Sequence, residues 1–548
     1  MKEATNRIPI VRLLLAGCGG LLLSAAFPGI GLAGAGWIAP GIILMSAVGC
    51  GARKAFRLGY VAGLAHFLSS LYWLVSMPDT FHGIPLAPAA AWLALSAYCA
   101  LFPAVWVWLC WRIWRAPVAA PDLSARAALD QFFSAGLARR AGWALCAGLI
   151  WVALEMARGR LWSGFPWNFL AVSQYKMLPF IQMTAVTGVY GLSFLMVWTS
   201  VSVVVALIVL TRQPGRGVWA EAGVPMLVTA GIASFGAYQV AAIPRAEEEL
   251  NVVLIQPSIP QTLIWDPKQD EALFQNLLKL SESALTDKAS LLLWPEGAWS
   301  SLTPPHQEAV ARLVAGHKVW LVANANTIGE GGQGTEEPVY NSSLLISPAG
   351  ELEGVYHKRR LVIFGEYAPK WLPFLKWLTP IDGAFTSGTD AVQFKMKNPD
   401  AQFSVLICFE DMFPEEAREH VTPETDFLVN LTNDGWFGEG AEQWQQAANA
   451  VFRAVENGVP LVRCTNNGLT CWADAQGRLR EIFAAAGNVY GAGFLAARIP
   501  LRAGGDRRGT FYNRHGDWFG WSCCAMSLCL CAGSFRLRRA VPCDSVPI

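Results

Sequence analysis

The chain has 548 residues, of which 53% are apolar and only 15% charged, with a net charge of +1. That balance excludes a protein that is soluble throughout. With no basic patch interleaved with aromatics, it also gives no sign of a nucleic-acid partner. Long apolar blocks fill residues 1–243, residues 244–516 have the composition of a soluble domain, and an apolar block returns near 517–533.

A membrane helix needs roughly 20 apolar residues. In chain order the expected spans are 8–27, 34–51, 58–77, 87–111, 142–157, 183–211 and 224–243, with an eighth at 517–533. The expectation is a membrane domain of seven helices over 1–243, a separate domain over 244–516, and a last helix and tail over 517–548. Leu15-Ala16-Gly17-Cys18 resembles a lipoprotein signal-peptidase site, but Arg12 leaves too short an apolar core before it, so the segment reads as an uncleaved helix. Lys2, Arg7 and Arg12 flank the first helix, and Arg53, Lys54 and Arg57 follow the second. Arg112, Arg115, Arg126, Arg139 and Arg140 lie between the fourth and fifth; Arg212, Arg216, Arg536, Arg538 and Arg539 follow later spans. These clusters share one side if both termini are cytoplasmic, which puts 244–516 outside. Glu155 and Arg158 read as a functional pair or, better, as a snorkelling pair at the membrane interface.

Of thirteen cysteines, only Cys408, Cys464 and Cys471 fall in the soluble domain. No zinc spacing appears, so no structural metal and no cofactor is expected. Cys464 and Cys471 are either a pair or two buried thiols. Strands are expected at 251–257, 290–295, 319–324, 340–347, 403–408, 426–431, 461–465, 470–474 and 490–497. Helices are expected at 268–286, 303–316 and 440–457. Near-continuous apolar strands alternating with helices point to an α/β domain with mixed sheet.

Three stretches of this domain carry chemistry. Residues 291–299 (LLLWPEGAW) place Glu296 at a strand end; 356–369 offer Lys358 and Glu366; 404–411 (SVLICFED) end an apolar run in Cys408. A thiol is only a few per cent thiolate at neutral pH and needs a base. A carboxylate can take its proton, and an ammonium can hold the anionic intermediate. Glu296, Cys408 and Lys358 fill these roles. Taken singly, each also reads as a turn residue, a core thiol and a surface charge.

Together with their flanks, Trp-Pro-Glu, His-Lys-Arg, Phe-Gly-Glu-Tyr, Ile-Cys-Phe-Glu and Asn433-Asp434-x-Trp436-Phe437-Gly438, they resemble the carbon–nitrogen hydrolase (nitrilase) superfamily. That resemblance implies an αββα sandwich with a Glu-Lys-Cys triad. Adding the membrane helices and Arg463-Cys464-Thr465-Asn466-Asn467-Gly468, the whole chain resembles the apolipoprotein N-acyltransferase family. The family implies Glu296 as base, Lys358 as oxyanion stabiliser and Cys408 as nucleophile. Glu366 would orient the lysine or share proton transfer, and Glu410 would support the pocket. Trp265 matches a tryptophan near the substrate; its other reading is a packing aromatic. An apolar loop at 371–378 suits a lid dipping into lipid. Trp436, Phe437 and Trp444 either line the same wall or belong to the core. Phe409 departs from the family's usual Tyr.

The implied activity is transfer of an acyl chain from a phospholipid, through a thioester, to the amine of a diacylglyceryl-cysteine on a lipoprotein, by a monomer of the bacterial inner membrane. A membrane-anchored amidase using water as acceptor is the alternative. A transporter or scaffold is a weaker one, since His66 and Glu155 are nearly the whole intramembrane ionisable inventory.

Overall fold

The computed structural model of the chain describes residues 8–77, 86–114, 125–212, 219–242, 248–264, 266–286, 288–299, 302–329, 337–368, 385–501 and 509–539. Trp265 and the expected lid at 371–378 lie outside them. The chain forms two compact units: Met1–Tyr72, Ala90–Tyr238 and Asp517–Ile548 make one, Trp73–Ala89 and Gln239–Gly516 the other.

The first unit is helical. Among the described residues, Ala87–Trp114, Leu137–Arg158, Val189–Thr211 and Glu221–Ala241 are long and apolar enough to cross a membrane. Ile10–Ala25, Leu178–Thr187 and Trp518–Gly533 are shorter apolar helices. Four of the eight expected spans therefore meet the requirement. The stretch 34–51 divides into a 3-10 turn, Ala33–Trp37, and a short helix, Ala39–Ser46, with Pro40 in its first turn. The next stretch forms Ala52–Ser70, whose first two turns carry Arg53, Lys54 and Arg57. Helix contacts rest on small residues, as lipid-facing bundles require. A methyl group at Gly20 would stand 2.1 Å from the Ala62 carbonyl oxygen, and one at Gly63 2.7 Å from Ala100 Cα.

Glu155 and Arg158 correct the expectation of an interfacial pair, for both are buried. Arg158 donates to the carbonyls of Phe165, Trp167 and Asn168. Glu155 accepts from Leu170 N at 2.8 Å and Trp151 Nε1 at 2.9 Å. They satisfy the backbone of a non-helical segment, which lipid could not do.

Among the described residues, the second unit contains twelve strands. In chain order they are β1 (Glu248–Gln256), β2 (Leu291–Leu293), β3 (Trp320–Ile328), β4 (Val339–Ile346), β5 (Leu352–His357) and β6 (Gln393–Met396). Then come β7 (Ala401–Ile407), β8 (Phe427–Thr432), β9 (Leu461–Thr465), β10 (Cys471–Ala473), β11 (Leu479–Arg480) and β12 (Gly493–Leu501). One sheet runs β12-β1-β2-β3-β4-β5 and the other β11-β10-β9-β8-β7-β6. Each contains three neighbouring parallel strands, β1-β2-β3 and β7-β8-β9. Antiparallel strands flank them.

Alternation along apolar strands gives each sheet two buried faces. Val252, Leu254, Leu293 and Val322 of the first sheet pack with Phe403, Val405, Ile407, Val429 and Leu431 of the second. Val253, Ile255 and Leu292 point the other way, onto Phe274 and Leu277 of helix Asp270–Ala284 and Val310 and Leu313 of helix Pro304–His317. Helix Ala441–Asn457 lies against the second sheet. The result is the αββα sandwich. Three strands escaped the sequence reading: β5, β6 and β11. All are short or at a sheet edge, where polar residues interrupt the apolar alternation. Cys464 and Cys471 are free, buried thiols.

Candidate active site

Strand ends of both sheets supply the site. Glu296 follows β2 by three residues, and Gly297 turns the chain there with φ +77°. Lys358 follows β5 directly, its N–H bonded to the Asn341 carbonyl at 2.8 Å. Cys408 follows β7 and opens a 3-10 turn, Cys408–Met412.

Lys358 is 1% exposed. Its Nζ donates to Glu366 Oε1 at 2.8 Å and to Glu296 Oε1 at 3.3 Å. Asn341 Nδ2 bridges the same two carboxylates, at 2.8 Å to Glu296 and 3.0 Å to Glu366. The amide cannot turn over, because its Oδ1 accepts from Asn324 Nδ2 at 2.6 Å. Glu366 Oε2 takes the Val362 N–H at 2.7 Å. Glu296 Oε2, in contrast, is buried and has no hydrogen-bond partner among the described residues.

Burial alone would lower the Lys358 pKa, but the charges of Glu296, Glu366 and Cys408 outweigh it and hold the ammonium well above its ordinary range. The Cys408 thiol is pushed well up, first by desolvation and then by Glu296, with Lys358 opposing. It is therefore a protonated thiol at rest, with a carboxylate and an ammonium acting on it. Thr432 also acts against the rise. Phe409 stands edge-on to Phe413 at 5.2 Å and places its ring 5.9 Å from Lys358 Nζ. A phenol hydroxyl is not needed for that packing.

Glu410 bonds to the backbone on both sides of the site. It accepts from Ile407 N at 2.7 Å, Arg359 N at 2.7 Å, Arg360 N at 3.0 Å and the Tyr356 hydroxyl at 2.9 Å. Desolvation and then Glu416 push its carboxyl up to about 7, against those backbone donors. An array made only of donors fits the ionised form. The carboxylate ties the turn after β7 to the start of the Lys358 loop.

Trp436 sits half-buried in the 3-10 turn Asp434–Phe437, which follows β8 and is capped by Asn433 Oδ1 accepting from Gly435 N at 3.1 Å. Trp444 packs on Ala447, Leu469 and Cys471, so it belongs to the core. Sequence reasoning missed Asn341, Tyr356 and Trp73. The Trp73 Nε1 donates to Gln445 Oε1 at 3.1 Å, and its ring meets Phe437 edge-on at 4.8 Å. A polar residue inside an apolar strand, such as Asn341 in β4, was the available signal.

The site thus brings one thiol, two carboxylates and one ammonium together. Residues 19–202 match the family described as apolipoprotein N-acyltransferase N-terminal domain, and 252–487 match carbon-nitrogen hydrolase. The apolipoprotein N-acyltransferase of Geobacter metallireducens is 33% identical over 540 residues, 97% of each chain. That of Vibrio cholerae is 29% identical, covering 81% of this chain and 83% of its own. Among solved structures, an amidase from Nesterenkonia sp. aligns over 47% of this chain and 93% of its own, at 18% identity and a TM-score of 0.34. Similarity to the Geobacter protein along nearly all of both chains carries the assignment: this chain belongs to the apolipoprotein N-acyltransferase family, acyltransferases built on a carbon–nitrogen hydrolase domain and an apolar helical region.

Proposed function

We propose that Cys408 carries the acyl chain, Glu296 moves the protons and Lys358 holds the oxyanion. The donor is a phospholipid, phosphatidylethanolamine above all, and the acceptor is the α-amine of a diacylglyceryl-cysteine at the N-terminus of a lipoprotein. One observation carries this reading. Around a single protonated thiol, Glu296 keeps one buried oxygen without a partner among the described residues, while its other oxygen is fixed by Asn341 and Lys358.

In the first half-reaction the thiol proton passes to Glu296 as sulfur attacks the ester carbonyl. The C–S bond forms and the C–O bond breaks. The lysophospholipid leaves with the proton from Glu296. In the second, the amine attacks the thioester, C–N forms, C–S breaks, and Glu296 takes the amine proton and returns one to sulfur. An α-amine of pKa about 8 is mostly protonated at pH 7, so its first proton must pass to solvent before the attack, and Glu296 takes the second. Glu366 orients Lys358; Glu410 fixes the turn behind Cys408. Trp265 and Trp436 would contact substrate. The clustering of Lys and Arg in alternate loops supports a protein of the inner membrane with both termini cytoplasmic and residues 244–516 periplasmic. A monomer suffices for this chemistry.

The test is acyl transfer from labelled phosphatidylethanolamine to a diacylglyceryl-cysteine peptide by wild type and Cys408→Ala. Triacylated peptide and lysophospholipid in equal amounts, both absent in the variant, are expected. Free fatty acid without triacylated peptide would instead make water the acceptor and the protein a hydrolase.

A further inference from the structure

Cys408 has φ +55°, a backbone conformation that L residues other than glycine avoid. Its carbonyl shows what holds it. That oxygen accepts from Asn430 Nδ2 at 2.8 Å and from Gln446 Nε2 at 3.1 Å. Both amides lead to one residue. Asn430 Oδ1 accepts from Arg463 Nη1 at 2.9 Å. Gln446 Nε2 also donates to Asp411 Oδ1 at 3.1 Å, and Asp411 Oδ2 accepts from Arg463 Nη1 at 3.0 Å. The chain of bonds closes into a ring: Arg463, Asn430, the Cys408 carbonyl, Gln446, Asp411 and back. Arg463, Asn430 and Asp411 are fully buried, and Gln446 is 2% exposed.

We propose that Arg463 is a positioning residue for the reaction: through this ring it fixes the carbonyl of Cys408, and so the left-handed turn that presents the thiol. The proposal rests on the reading of Cys408 as nucleophile. Arg463 touches neither the thiol nor the acyl carbon. Its planar fork spans three acceptors, since Nη2 also reaches Asp434 Oδ2 at 2.6 Å. A lysine would keep the charge but could not span them. The cation also sits on β9, next to β8, which brings Asn430 within reach of it. Arg463 opens the Arg-x-Thr-Asn-Asn-Gly stretch, and Asn466 of that stretch bonds Asn433 at 3.0 Å and the Ile259 carbonyl at 2.8 Å. One motif thus braces the nucleophile turn and the 258–261 loop.

The test uses the full chain in detergent, with wild type, Arg463→Lys and Gln446→Met. The alkylation rate of Cys408 by iodoacetamide is read on its own peptide across pH, together with kcat, KM and the melting temperature. A nucleophile displaced by about 1 Å loses roughly 100-fold in rate. Arg463→Lys should therefore lower kcat by roughly that factor at unchanged KM, and alter the rate and pH profile of alkylation. Gln446→Met removes one of the two donors and leaves the charges alone. It should shift alkylation in the same direction by a smaller factor, and it decides the matter if the lysine variant does not fold. Wild-type alkylation and kcat in every folded variant would overturn the proposal. Should Cys408→Ala still transfer acyl chains, the nucleophile reading falls instead, and the alkylation comparison still reports on the turn.

Discussion

The first sheet fixes its share of the site by bonds between side chains on β4 and just beyond the ends of β2 and β5, with Lys358, Asn341, Glu296 and Glu366 holding one another. The second sheet fixes its share through the backbone: the carbonyl of Cys408 and the N–H of Ile407 are the atoms gripped. In the first sheet charge balance decides whether the site works, because two carboxylates share one buried ammonium. In the second sheet shape decides, because Cys408 stands in a strained turn with φ +55°.

The largest effects should come where the two halves meet. Cys408→Ala should abolish transfer outright, and Glu296→Gln, which keeps the volume but removes the proton acceptor, should lower kcat by about 10²–10⁴-fold. Steady-state transfer assays check both. A Glu296→Gln enzyme of near wild-type rate would assign the base elsewhere. Next comes Lys358→Met. Losing an oxyanion donor costs about 10²–10³ in kcat, and leaving buried carboxylates without their cation costs about 3–5 kcal/mol of stability. No comparable stability loss should accompany Cys408→Ala, and denaturant unfolding would separate the two halves on that basis.

A pH effect sharpens the contrast further. Behind the second sheet three buried carboxyls, Asp411, Asp434 and Glu442, face the guanidinium of Arg463, and Asp411 also feels that of Arg453. Desolvation raises Asp411 to about 6 against the pull of Arg463. A carboxyl raised in the folded state binds more protons there than in the unfolded chain, so the contribution of Asp411 to stability falls as pH rises from about 4 to 6 and is constant above. Melting temperatures across that range should show the decline, flattened in Asp411→Asn. A rise over the same window would mean that the Arg463 pair dominates burial. The smallest effect belongs to Cys464→Ala. That thiol is fully buried between the sheets, donating to the carbonyls of Ile255 and Leu293. Its loss should cost about 1 kcal/mol and leave kcat unchanged.

Sequence reading reached the parts whose signals are local. Glu296, Lys358 and Cys408 each end an apolar run or follow a strand, and each stands at a strand end in the fold. Tyr356 and the Asn430–Gln446–Arg463 ring gave no such signal, because their partners lie up to 54 residues away and only the fold brings them together; Asn341 offered only a polar residue in an apolar strand. Edge strands β5 and β6 were hidden by the polar residues that protect edges. In the helical unit, apolar composition marks eight spans where four described helices reach spanning length. Pro40 and Gly188 interrupt helices that hydropathy alone would run together, the latter at φ +63°.

The thioester proposed on Cys408 is the intermediate on which the proposed chemistry depends, and intact mass measures it most directly. Wild-type protein incubated with phosphatidylethanolamine, without acceptor, should gain the mass of one acyl chain. Hydroxylamine should remove it, and Cys408→Ala should never acquire it. Folded wild-type protein that gains nothing in the presence of lipid, yet still transfers acyl chains to the acceptor, would contradict the account.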